Sequence, residues 1–353
     1  MTATIVGQGL AGTWLAWVLR NEGHLVRMVD PRAAQTSSRV AAGIVNPLTG
    51  QRVKPTWKGA TLIPEARMAF REVERTIGTH VWRDIELRRA FRDEATREWF
   101  ERRMASGELS SMRVSRIRPG EHDGIPYPYG GCIVHDAALV DVPTFLDKGR
   151  AALQRKGADI VCASVDVNDV DSIAWKSSHM SDVVVWCIGI DAIKHPLWSW
   201  LTLEPSKGEV LEVVMLAAEG DIHTPPMDYI LNSGTWIAPL SNGHYLVGAT
   251  NDWDDHEPTP TEEARRTLMD DAQRMTGRTF DIVDHRVAIR PSTLRKRPLI
   301  GRHPVNSRHA ILTGLGTKGC QLAPWAARQI VDHLLNDTPL DPEVDITQDF
   351  KDV

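Results

Sequence analysis

The first thirty residues constrain this chain more than any other stretch. Thr2–Val6 is a short, mostly apolar run, followed by Gly7-Gln8-Gly9-Leu10-Ala11-Gly12, a helix-compatible stretch, a second apolar run at Leu25–Val29, and Asp30. Strand, G-x-G-x-x-G turn, helix, strand and acidic residue, in that order, form the fingerprint of a βαβ dinucleotide-binding unit. Gly7 permits the tight turn, Gly9 lets the backbone approach a pyrophosphate, and Gly12 lets the helix lie close to the strand. Leu10 and Ala11 open the helix, whose N-terminus offers N–H groups and a positive dipole end to phosphates. Asp30 stands 18 residues after Gly12, close to the spacing of a carboxylate that accepts ribose hydroxyls; Pro31 follows it. The same carboxylate repels a 2′-phosphate, which disfavours NADP and leaves FAD and NAD open.

Composition narrows the rest. The 353 residues are 42% hydrophobic and 25% charged, with a formal net charge of −5, ordinary for a globular protein. No global positive field exists to hold nucleic acid or an anionic membrane. Arg67–Arg118 is locally rich in arginine, but interleaved Glu and Asp make solvated helix faces the expected use of those charges. Cys132, Cys162, Cys187 and Cys320 show neither metal-ligand nor C-x-x-C spacing, so reduced thiols, no disulfide framework and no metal site are expected. No run reaches the ~20 apolar residues of a membrane span. No signal region precedes the fingerprint, and a cytoplasmic location is expected.

Further along, residues 61–118 carry helical periodicity, and Pro119–Gly131 is rich in turn residues. A helix is expected over 142–156. Asp159–Val167 alternates like a strand. Asp182–Ile188 is a continuous apolar run, suited to a parallel strand buried on both faces, and ends at Gly189. Residues 203–250 read as antiparallel strands with a hairpin at Asn242-Gly243. A helix is expected over 261–276. His309–Thr313 reads as a strand leading through Gly314–Gly319 into a helix from about Gln321 to Leu335.

The expected fold is α/β, α+β overall. A Rossmann-like nucleotide domain is assembled from discontinuous segments, 1–60, 130–200 and 286–353. A substrate domain with an antiparallel sheet, 61–129 and 201–285, is inserted between them.

Four motifs in this arrangement resemble the D-amino-acid oxidase family of FAD-dependent oxidoreductases, which includes glycine oxidase and sarcosine oxidase. They are the fingerprint, Ser37–Pro47, Val287–Gly301 with its Arg290-Pro291, and Gly314-Leu-Gly316-Thr317-Lys318-Gly319. The resemblance covers nearly the whole chain. It implies that the small-residue loop containing Ser38, Arg39, Ala42 and Gly43 passes along a flavin, and that Arg290 grips a substrate carboxylate. It also implies that the last turn sets backbone N–H groups against the pyrimidine end of the flavin. Val165 and Gly189 complete the candidate cofactor contacts. Ser292 stands where some members carry a cysteine that attaches the flavin, so non-covalent FAD is expected.

These assignments are also sound as chemistry. A flavin that accepts a hydride becomes negative around N1 and O2, and a helix N-terminus aimed there stabilises the charge; Lys318 would add a full charge. Arg290 in an apolar strand needs an anion, and a carboxylate fits its fork; an internal Asp or Glu would fit equally. Trp236 and Tyr245, on the hairpin, are candidate pocket walls. The basic loop Gln51–Lys54 is a candidate contact for a larger or acidic substrate.

The expected activity is oxidation of the C–N bond of a D-amino acid, glycine or an N-alkyl amino acid. Hydride passes to flavin N5, and the imine hydrolyses. The electron acceptor is oxygen or another partner. The alternatives are an enzyme resembling the tRNA wobble-uridine side-chain oxidase, and a non-catalytic flavoprotein.

Overall fold

The computed structural model describes residues 1–165, 182–216 and 226–350. Its mixed α/β architecture is the one expected. A six-stranded sheet runs in the order 159–161, 25–29, 2–6, 183–186, 309–313 and 299–302. The first five strands are parallel and the last is antiparallel. Val183–Trp186 is buried at all four positions and His309–Thr313 at all five, as befits central strands covered on both faces.

Helices Leu10–Asn21, Gly59–Ile77, Val142–Arg155 and Gly319–Asn336 pack on one side of this sheet in one apolar cluster. Within it Trp14 stacks on Phe145 at 5.2 Å and meets Phe70 edge-on at 4.9 Å. Trp186, Trp198, Leu201 and Ile346 cover the other side.

The second sheet has eight strands, in the order 280–292, 204–215, 245–248, 235–239, 230–233, 87–90, 131–134 and 114–117. Helix Glu262–Thr276 supports one face, where Leu268 and Ala272 join Leu211, Val213, Ile237 and Val247. The hairpin expected at Asn242-Gly243 joins strands Thr235–Pro239 and Tyr245–Gly248, with Gly243 at φ +84°.

Residues 61–118 are not continuously helical. Strands Trp82–Asp84 and Leu87–Ala90 separate helix Gly59–Ile77 from helix Glu94–Ser106, and Val114–Ile117 is a further strand. Left-handed Gly78 and Gly107 end the two helices. Leu87–Ala90 is drawn into the sheet by Gly131–Val134 on one side and Ile230–Asn232 on the other; pairing across the chain overrides its local periodicity. The strand expected over 159–167 spans Asp159–Val161, and residues 166 and 167 lie outside the described residues.

Candidate active site

Where the two sheets meet, a cavity of about 190 Å³ runs from Gly9, Leu10 and Ala11 past Ser38, Ala42 and Gly43 to Gly189 and the Gly314–Gly319 turn. Its far wall is the second sheet, through Gly208, Val210, Trp236, Ala249, Ala288 and Arg290. The fingerprint turn and the last turn are about 300 residues apart in sequence. They share this cavity because strands Thr2–Val6 and His309–Thr313 flank Val183–Trp186.

The nucleotide wall is built from backbone. A Cβ at Gly12 would lie 1.9 Å from the Gly7 carbonyl oxygen, so the glycine is what lets helix and strand touch. A Cβ at Gly9 would meet Ser38 Oγ at 2.8 Å, and Ser38 Oγ itself accepts the Leu10 N–H at 3.1 Å. Gly43, at φ +72°, lies against the Val140 carbonyl, where a Cβ would stand 1.9 Å away. Helices Leu10–Asn21 and Gly319–Asn336 both begin with no capping bond from the N-cap residue's side chain and no acidic residue in the first turn. Two positive helix ends and a glycine cradle along one elongated cavity fit FAD: pyrophosphate at the first end, flavin at the second.

Several expected contacts do not line this cavity. Asp30 does not line the cavity; its two carboxylate oxygens accept the Gln8 and Arg32 N–H groups, each at 2.7 Å, beside the fingerprint turn. Pro31 is exposed. Arg39 turns outward to Asp147 at 2.6 Å, a pairing that holds the carboxylate below its usual range. Val165 packs with the cluster around Trp186 and Trp198 instead of lining the cavity.

The opposite wall is built from side chains, and strand alternation decides which. Ser206 pairs with Arg290 and Gly208 with Ala288, so these four share a face. The Arg290 guanidinium is held by neutral acceptors: Ser206 Oγ at 3.3 Å, Asn251 Oδ1 at 3.2 Å, and the Thr250 carbonyl at 3.2 Å from both terminal nitrogens. Among the described residues no carboxylate lies within ion-pair distance of it. Burial pulls its pKa down to about 10, leaving it charged at neutral pH. Gly208 makes its space: a Cβ there would stand 1.9 Å from an Arg290 nitrogen. A glycine inside a strand signals such an approach, and that signal was available in the sequence.

Trp236 is on the cavity face opposite Gly248, as a pocket wall should be. Tyr245 is not. It is 3% exposed, packs with Leu211, Val247 and Leu268, and accepts the Met227 N–H at 3.1 Å. It stands three positions before Gly248, an odd step along a strand, so it faces helix Glu262–Thr276.

A second cavity of about 150 Å³ adjoins the first and shares Ile44, Trp236 and Thr317 with it. Asn46, Thr49, Leu87, Asn232, Lys318 and Gln321 complete its lining. Lys318 therefore lines this space, and its ammonium donates to Thr56 Oγ1. Gln51, Arg52 and Lys54 are exposed and line neither cavity. Buried Arg89 and Arg103 bind the Gly50 and Arg52 carbonyls at 2.6 and 2.9 Å, which turns the loop's side chains outward. Asn46, Thr49, Asn232 and Gln321 were not anticipated, because three separate segments bring them together.

Fold and site together define a flavin-dependent oxidoreductase. Residues 2–333 match the DAO family, described as FAD dependent oxidoreductase, and the chain belongs to it. It is 29% identical over 149 residues to glycine oxidase from Pseudomonas aeruginosa, covering 40% of this chain and 41% of that one. It is 30% identical over 147 residues to the tRNA 5-methylaminomethyl-2-thiouridine biosynthesis bifunctional protein MnmC of Marinobacter nauticus, covering 38% of this chain and 22% of that protein. The chain thus matches less than half the length of either relative. The crystal structure of iminodiacetate oxidase from Chelativorans sp. BNC1 superposes with a TM-score of 0.79 at 17% identity, over 97% of this chain and 98% of that one. No helix among the described residues is long and apolar enough to cross a membrane, and they hold no cluster of potential metal ligands.

Proposed function

We propose that this enzyme oxidises the C–N bond of a small amine that carries a carboxylate, an amino acid or an N-alkyl amino acid. The observation that carries the reading is Arg290: a partly buried guanidinium in the cavity wall, whose acceptors among the described residues are neutral oxygens. A carboxylate supplies the missing counter-charge and matches its planar fork. FAD, once bound, supplies the two-electron acceptor; the substrate becomes an imine, and water hydrolyses it to a carbonyl compound and the free amine.

The chain's own part is positioning. Arg290 fixes one end of the substrate, Trp236 limits where the rest can lie, and the uncapped last helix favours negative charge at the pyrimidine end of the cavity. The titratable groups among the described residues lining the main cavity are Arg290, Cys187 and Cys320. Burial keeps both thiols protonated, with Cys320 pushed up to about 12 and Cys187 raised as well. Among the described residues no carboxylate or imidazole lines the main cavity to take a proton, so the amine must enter neutral. Protonated thiols are poor nucleophiles, which supports non-covalent FAD; acid precipitation should leave the yellow colour in solution.

The test is the visible spectrum of the purified protein under anaerobic conditions, with glycine, sarcosine, D-amino acids and dicarboxylic amines added in turn. Bleaching of the flavin band by one of these supports the reading, and reoxidation in air then identifies oxygen as acceptor. A flavin band that none of them bleaches overturns it. The arginine-rich segment gives little support to an RNA substrate, because Arg67, Arg71, Arg97, Arg113 and Arg116 are each paired with a carboxylate.

A further inference from the structure

The second cavity is lined by the other cation of the site, Lys318. Lys318 is half-buried, and its ammonium has a neutral partner, the Thr56 hydroxyl. Among the described residues no carboxylate lies within ion-pair distance of it, and none lines the cavity. Burial, helped by the charge of Lys296, pulls its pKa down to about 8. Asn46, Asn232 and Gln321, which carry amides, and Thr49 and Thr317, which carry hydroxyls, line the cavity together with Lys318. Gln321 is 2% exposed and spends its amide N–H on the Trp57 carbonyl at 3.2 Å.

A desolvated ammonium without a counter-ion is unfavourable, and its neighbours here can hydrogen-bond an anion without neutralising it. The charge of Lys318 is therefore available to something that enters the cavity. About 150 Å³ is room for a few non-hydrogen atoms, and the space adjoins the one that Arg290 faces, with Ile44, Trp236 and Thr317 lining both. Building on the oxidation of carboxylate-bearing amines proposed above, we infer that the second cavity is the substrate's side-chain pocket and takes an acidic group. The preferred substrates then carry two carboxylates, one on Arg290 and one on Lys318, with the C–N bond between.

The holoenzyme can be tested with ligands that have no amine to oxidise. Thiodiacetate carries two carboxylates, and (methylthio)acetate is nearly the same molecule with one. Their dissociation constants follow from titration calorimetry and from perturbation of the flavin band. Thiodiacetate should bind roughly 10- to 100-fold more tightly, the range expected of a hydrogen bond to a charged group. That ratio should collapse toward one in Lys318→Met and survive in Lys318→Arg. Asn232→Leu, which leaves the last helix untouched, should lower it in the same sense and serves if Lys318→Met does not fold.

A wild-type ratio near one overturns the inference, as does a high ratio that Lys318→Met leaves unchanged. If Lys318→Met weakens both ligands equally and lowers the flavin reduction potential, the ammonium serves the flavin and the pocket assignment falls. The ratio requires no turnover. Bleaching by glycine with a ratio near one sinks the acidic pocket alone, whereas a high ratio with no amine oxidised sinks the proposed reaction alone.

Discussion

The two walls of the main cavity are made in different ways. On the parallel-sheet side, glycines and helix ends present backbone: Gly9, Gly12, Gly43, Gly314, Gly316 and Gly319 matter for the side chains they lack. On the second-sheet side, Arg290 and Trp236 project from paired strands, and Gly208 clears the way for the arginine. The backbone wall suits a ligand that never changes, because N–H groups and helix dipoles recognise phosphate and flavin alike. The side-chain wall suits substrate choice, because one substitution alters it without rebuilding the fold. Damage to the first wall should therefore remove cofactor, and damage to the second should change turnover while cofactor stays.

Breaking either wall gives the largest effects. Gly12→Ala forces a Cβ against the Gly7 carbonyl oxygen, 1.9 Å away. Overpacking of this kind costs about 1–3 kcal/mol or more, so FAD content, read from the 450 to 280 nm absorbance ratio, should fall at least roughly tenfold, together with Tm. Arg290→Lys replaces a fork with a point charge. Loss of about 2–5 kcal/mol would lower kcat/KM by roughly 30- to several-thousand-fold at normal FAD content. Arg290→Lys that empties the protein of FAD, or Gly12→Ala that keeps it, would erase the distinction.

A milder change sharpens it. Gly208→Ala pushes on the movable end of Arg290 instead of on backbone. A displaced guanidinium should raise KM for carboxylate substrates roughly 10- to 100-fold, with the flavin spectrum unaltered.

The two cations should also separate by pH. A base with a depressed pKa is charged below that value and loses charge as pH rises through it. Preference for a dicarboxylate over a monocarboxylate should be full below about pH 8, where Lys318 is charged, and decay above it. Binding through Arg290 should persist to about pH 10. Ratios of kcat/KM across pH 6–10 test this. In linkage terms, uncharging Lys318 early means the unfolded chain holds more protons between its folded pKa and the ordinary lysine value, so Lys318 by itself makes stability rise with pH in that window.

The smallest effect belongs on neither wall. Tyr245→Phe removes the hydroxyl that accepts the Met227 N–H. It should cost about 0.5–1.5 kcal/mol of stability and leave kcat unchanged; a large fall in kcat would return Tyr245 to the site.

Much of the nucleotide wall was legible in sequence, because its function is local. A tight turn needs glycine within a few residues, and the apolar runs of buried parallel strands announce themselves. Arg290 was legible as a buried cation, but whether it faced an internal carboxylate or a ligand was not. Tyr245 and Trp236 lie on one hairpin with similar character; only the strand register sends one into the core and the other to the cavity. The helical reading of residues 61–118 failed at Leu87–Ala90 for the same reason, since its strand partners come from residues 131–134 and 230–232.

The sequence by itself determined the βαβ unit, the glycine turns at both ends of the chain and the presence of a basic residue at each pole of the site. Their spacing encodes backbone conformation, and backbone conformation is a local property. Tertiary structure alone decided that the acceptors Arg290 meets among the described residues are neutral oxygens, and that Lys318 lines a second cavity together with Asn46, Asn232 and Gln321. Each of these depends on which distant segments pack together, and therefore on which side chains lose water in company and which are left without a counter-charge.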